Sequence, residues 1–180
     1  MNYNIAPAAT RALLAALALF AATSAAAAPA DDLREAQKLY GQGKLPAALE
    51  KVDAYLVAQP KDAPGRFLKG LVLTDQKRSA DAIAVFTSLT EDFPELPEPY
   101  NNLAVLYAAQ GQYDRARSVL EIAISSHPGY ATAHENLGDI YAQLAARSYD
   151  RALQLDRANL SARAKSAKVK ELIAPQRTNP

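Results

Sequence analysis

The chain has 180 residues and a formal net charge of +1, with no cysteine. The missing thiol excludes disulfides, thiolate metal ligands, thiol nucleophiles and acylation at a lipoprotein cysteine. Near-neutral charge without a basic stripe along the central segments gives no support for electrostatic attachment to nucleic acid.

Up to Ala30 the only charged side chain is Arg11, followed by the apolar run from Ala12 to Ala22 and a small-residue stretch to Ala30. That order matches a secretory signal peptide over residues 1–27, with cleavage after Ala27 satisfying the A-x-A pattern, as does cleavage after Ala30. The apolar run is shorter than the roughly 20 residues a spanning helix needs. A periplasmic or secreted location, without stable membrane insertion after cleavage, is therefore expected. The remaining chain holds 19 basic and 19 acidic side chains.

Helical hairpins follow in order. Leu33, Ala36, Leu39 and Tyr40 make a first helical stripe, Gly43 a turn, and Ala48, Val52 and Tyr55 a second stripe ending at Pro60. Asp31 and Asp32 are N-cap candidates for the first of these helices. The next pair carries Gly70, Leu73, Ala82, Phe86 and Leu89, with Lys77 where the turn glycine would fall. The clearest hairpin spans Pro97 to Tyr130. Tyr100, Leu103, Ala104 and Tyr107 recur at i, i+3, i+4 and i+7; Gly111 interrupts them. Tyr113, Ala116, Leu120 and Ala123 follow, and His127-Pro128-Gly129 ends the second helix.

His134, Leu137, Gly138 and Tyr141 open a fourth unit, but Tyr149, Ala152 and Leu155 then arrive five residues early with no turn residue before them. Leu137, Tyr141, Leu144, Ser148, Ala152 and Leu155 form one unbroken stripe, which predicts a single helix from about Thr132 to about Arg157. The competing arrangement is a tight turn near Ala145 to Ser148. Residues 159–180 supply a C-terminal capping helix, basic through Arg163, Lys165, Lys168 and Lys170, and then a frayed end. An acidic partner or a membrane surface is the other use for that basic face.

Shifts of 34 residues superimpose Ala36, Gly70, Ala104 and Gly138, as well as Ala48, Ala82 and Ala116, and Pro60, Pro94 and Pro128. Such a period is the signature of a helical solenoid. With Tyr100, Leu103, Ala104, Tyr107, Gly111, Tyr113, Ala116, Leu120, Ala123 and Pro128, the third unit resembles the tetratricopeptide repeat (TPR) family. The resemblance implies an all-α TPR solenoid over residues 28–158, with three full repeats, an irregular fourth and a C-terminal capping helix. It also implies a non-catalytic protein- or peptide-binding module that holds its partner in a concave groove formed by the first helices.

Carried over by position, that groove would present Leu33, Gln37 and Tyr40, then Phe67, Leu71 and Thr74, then Asn101, Asn102 and Val105, and finally Glu135, Asn136 and Asp139. Asn102 and Asn136 stand one period apart and resemble the asparagine ladder with which some relatives hold a peptide backbone; asparagine there is also simply common in the family. Leu33, Phe67 and Leu71 could floor the groove for a hydrophobic side chain, or be covered within their own repeats. The basic carboxylate clamp of some relatives is not matched, because Leu33, Gln37 and Leu68 occupy its positions. His127 and His134 flank one loop without a metal-ligand pattern, and Gly41-Gln42-Gly43-Lys44 lacks the spacing of a phosphate loop. No catalytic residue, metal or cofactor is expected. A structural subunit of an envelope assembly, associating through the long fourth-repeat helix or the convex faces, is the alternative role. Self-association would follow from an unpaired apolar stripe on that helix.

Overall fold

In the computed structural model the described residues are 29–174. The signal-peptide assignment and the last six residues lie outside that range. Every secondary-structure element among the described residues is a helix, and the helices fall in two units divided at Pro60.

The first unit is one hairpin, α1 (Pro29–Gly41) and α2 (Leu45–Ala58). Ala36, Ala48 and Val52 are completely buried between them, with Tyr55 nearly so. Asp31 and Asp32 do not cap α1. The helix starts at Pro29, so both carboxylates stand inside its first turn, where they complement the positive end of the helix dipole.

The second unit contains α3 (Ala63–Asp75), α4 (Ser79–Asp92), α5 (Pro97–Ala109), α6 (Tyr113–Ser126), α7 (Ala131–Leu155) and α8 (Leu160–Ile173). Successive helices pack on one another, and α5 also touches α7. Asp62 caps α3, its Oδ2 accepting from the Gly65 amide at 2.7 Å. The core is a run of equivalent residues: Leu73, Ala82, Phe86 and Leu89 in one hairpin, Tyr107, Ala116, Leu120 and Ala123 in the next. Arg66 ties the first of these hairpins together from its side, reaching Asp92 at 2.6 Å and the Ser88 hydroxyl.

The turns inside the first three hairpins share one geometry. Gly43 and Gly111 both have φ of 71°, and Lys77 at the equivalent place has φ of 62°. In each turn two amides bond back to the end of the first helix. Lys77 N donates to the Thr74 carbonyl and Arg78 N to that of Leu73, both at 2.9 Å, matching Gly111 to Ala108 and Gln112 to Tyr107. A β-carbon in the left-handed region is strained by about 1–2 kcal/mol, and the helix-ending bonds impose it on Lys77. Lys77→Gly should therefore raise the unfolding free energy by about 0.5–1 kcal/mol after the extra flexibility of unfolded glycine is counted. Urea denaturation checks this; a loss of stability would show that the lysine side chain offsets its backbone strain.

The fourth repeat is a single helix of 25 residues, unbroken from Ala131 to Leu155. The long helix predicted from the missing turn is present, but its buried face follows the expected stripe only in part. Ala133, Ile140 and Ala146 are buried, whereas Tyr141 is 50% exposed and Leu155 74%. Leu137, Leu144 and Ala152 of the stripe are half-buried, so the neighbouring helices cover one edge of it and leave Tyr141 and Leu155 outside. Helix α8 is capped by Asn159, whose Oδ1 accepts from the Ala162 amide at 2.8 Å. It folds back on the last turns of α7 through Ala162 and Ser166.

Candidate functional site

The first helices of the second unit, α3 and α5, and the first half of α7 carry most of the predicted binding residues. Two concavities open along them, both bordered by α5. The larger, about 510 Å³, lies between the N-terminal turns of α3 and α5 and the end of α4. Phe67 and Leu89 form its floor, Pro64 and Pro99 its sides, and Phe93 and Leu96 come from the connecting loop. The Phe67 ring meets Phe86 edge-on at 5.6 Å, which fixes the floor to the buried core. Its polar members are the carboxylates of Glu95 and Glu98, both exposed.

The smaller, about 150 Å³, separates α5 from α7 and is lined by Ala104, Val105, Ala108, Leu120, Asn136, Asp139 and Ile140. Three predicted residues, Val105, Asn136 and Asp139, meet there. Val105 is 48% exposed despite its apolar side chain.

The asparagines pair in a way that the repeat period did not indicate. Asn136 Nδ2 donates to Asn101 Oδ1 at 2.7 Å, and Asn101 is only 8% exposed. Asn102 turns its amide to the Glu98 carbonyl of its own helix at 2.8 Å. The cross-repeat hydrogen bond thus joins neighbouring, not equivalent, positions, and occupies one amide hydrogen of Asn136.

Leu71 is half-buried on α3, and Thr74 donates its hydroxyl to the Gly70 carbonyl at 2.9 Å. Glu135 is exposed on α7. Leu33 and Tyr40 are half-buried and Gln37 exposed on α1, within the first unit. His134 donates from Nε2 to the Pro128 carbonyl at 2.9 Å, bracing the loop before α7. Among the described residues no cluster of three or more His, Cys, Asp or Glu could hold a metal ion. Also among them, no helix is long and apolar enough to cross a membrane.

Several lining residues carry no mark in the repeat pattern: Pro64, Phe93, Glu95, Leu96, Glu98 and Pro99. Most belong to the loop or helix-start segment Phe93-Pro94-Glu95-Leu96-Pro97-Glu98-Pro99, where apolar residues follow no helical stripe. Their density in a connecting segment was the available signal. Tyr130, ahead of α7, has its phenol held above the ordinary tyrosine range, first by burial and then by the Glu98 carboxylate.

A third depression, about 620 Å³, differs in character and lies between the start of α6, the second half of α7 and α8. Arg147 stacks 5.0 Å from the Tyr113 ring centre and donates to the Gly111 carbonyl at 3.0 Å. Asp150 accepts from Lys170 at 2.7 Å and Ser166 at 2.9 Å. These two hydrogen bonds, Lys170 foremost, hold its carboxyl below the usual aspartate range.

Two models described as tetratricopeptide repeat match residues 33–97 and 73–137, together more than half of the chain. The chain belongs to the tetratricopeptide repeat family. A chloroplastic TPR domain-containing protein of Arabidopsis thaliana, PYG7, is 32% identical over 87 residues. That match takes in 46% of this chain, which spans only 29% of the length of that curated relative. A TPR protein of Thermus thermophilus has the same fold at 24% identity and a TM-score of 0.62, covering 82% of this chain and 84% of its own. A TPR protein from Parabacteroides merdae aligns at 15% identity and a TM-score of 0.63, over 88% and 64%. The first TPR domain of human RPAP3 aligns at 17% identity and 0.62, over 67% and 94%. At these identities the structural likeness speaks for the TPR fold alone.

Proposed function

We propose that this TPR protein is an exported, non-catalytic adaptor or scaffold that holds a protein or peptide partner on the face presented by α3, α5 and α7. The carrying observation is the pair of open concavities along α5, floored by apolar side chains rooted in the core. TPR proteins generally mediate protein–protein interactions and are generally non-catalytic, which supports this use of the face. Helices packed in this way present a pre-organised surface, so docking costs the protein little ordering entropy. Export rests on the leader of residues 1–27, and N-terminal sequencing of protein recovered from the cell envelope tests it; a start at Met1 removes it.

Val105→Arg tests the face. It sets a charge in the α5–α7 cleft at an exposed position that the core does not need. In a pull-down from native envelope extract, the partner held by wild type should be lost from Val105→Arg, with helicity unchanged by circular dichroism. Retention by both would move binding elsewhere.

A structural-subunit role has one observation in its favour: Tyr141, Leu155, Leu160 and Leu172 are each at least half exposed on α7 and α8. Light scattering separates the two roles. A monomer fits the adaptor, and a tight dimer lost on Leu155→Ser with Leu172→Ser fits the subunit.

A further inference from the structure

We propose that the cavity between α3 and α5 receives a basic, amphipathic partner segment, one that places one or two bulky apolar side chains beside lysine or arginine. The proposal rests on the partner-binding role of this face and names the chemistry of the occupant.

Size and lining define the apolar half of that chemistry. A volume of about 510 Å³ exceeds any single side chain and suits two large ones, and Phe67, Phe93 and Leu96 offer aromatic and aliphatic surface. Such surface left in water is unfavourable, and covering it drives association. Phe67 cannot turn inward to close the space, because its ring is already seated on Phe86.

Charge defines the other half. Neither the cavity nor the adjoining α5–α7 cleft has a lysine or arginine in its lining, whereas Glu95, Glu98 and Asp139 border them. Residues 91–110 contain four carboxylates and no basic side chain. Of the two cations on α3, Arg66 is directed to Asp92 and Ser88 with its side chain 11% exposed, and Lys69 does not line the cavity. An acidic segment would meet like charge here; a basic one is steered in and held.

Fluorescence anisotropy with labelled twelve-residue peptides and the purified protein tests this. One peptide combines Phe and Leu with Lys and Arg; a second replaces the basic residues with Glu; a third replaces Phe and Leu with Ala. The basic apolar peptide should bind at least tenfold more tightly than either control, and more weakly in 300 mM than in 50 mM salt. Glu95→Gln with Glu98→Gln should weaken it several-fold and flatten the salt dependence. Pro64→Arg, at an exposed helix-start position of the lining, should weaken it at least tenfold while the fold is kept. Equal binding of the acidic peptide, or a basic peptide indifferent to these substitutions, overturns the proposal. Concentration-dependent self-association abolished by Pro64→Arg would assign the cavity to a second copy and overturns it too. If no peptide binds yet the envelope partner is still lost from Val105→Arg, the inference fails while the adaptor role stands.

Discussion

Phe86→Ala is expected to lower the unfolding free energy by about 3–5 kcal/mol, the usual range for emptying a buried aromatic site. Phe86 has no exposed surface, and its ring packs edge-on against Phe67 of α3. That ring lies directly over Gly70: a β-carbon built there would stand 2.5 Å from Cζ and 2.6 Å from Cε1. Glycine in a helix interior costs about 1 kcal/mol relative to alanine, yet here it makes the room that the ring occupies. Gly70→Ala should therefore destabilise despite its better helix propensity, by about 1–3 kcal/mol of overpacking. Added to Phe86→Leu, it should cost less than it does alone, a coupling that a double-mutant cycle measures. Urea denaturation with unchanged slope reads all these variants. A loss below about 1 kcal/mol for Phe86→Ala would contradict so tight a site.

Ala145→Pro should cost about 3 kcal/mol or more, because proline deletes a mid-helix hydrogen bond and its ring collides with the preceding turn. Position 145 lies inside α7, beside the buried Ala146. Native-state amide exchange should show protection lost through the second half of α7 and through α8, which packs on it, while α3 and α4 keep theirs. Were residues 145–148 a turn, proline there would be tolerated, so a near-neutral result would contradict the continuous helix.

The sequence disclosed most of the architecture because helix ends are marked by local chemistry. Gly43, Gly111, Pro60 and Pro128 stop helices for reasons contained in those residues, and the absence of any such residue between Tyr141 and Tyr149 left α7 uninterrupted. The candidate site was less legible. A 34-residue period aligns Asn102 with Asn136, but packed helices interdigitate, so Asn136 meets Asn101, one position off. The stripe on α7 found the buried side only in part: Leu137 and Leu144 are half-buried, but Tyr141 and Leu155 are exposed, and Ile140, outside the stripe, is buried. The α3–α5 cavity owes its wall to Phe93, Glu95 and Leu96 of the connecting loop and to Glu98 and Pro99 at the start of α5, none of which the period marks. Lys77 shows the converse: a departure from glycine left the turn unchanged, because backbone hydrogen bonds determine its shape.

The unbroken α7 also reverses the direction of the helix after it. In regular hairpins the chain turns back twice per repeat, so every first helix points the same way. Here one of the two reversals is missing. Helix α8 comes after α7 as α7 comes after α6, past a short loop at the end of a repeat, yet it runs antiparallel to the end of α7, pairing Lys170 and Ser166 with Asp150. It therefore runs opposite to α7, the first helix of its own repeat. Losing one turn is thus enough to reverse the sense in which the last helix runs, without any change in the helices that came before.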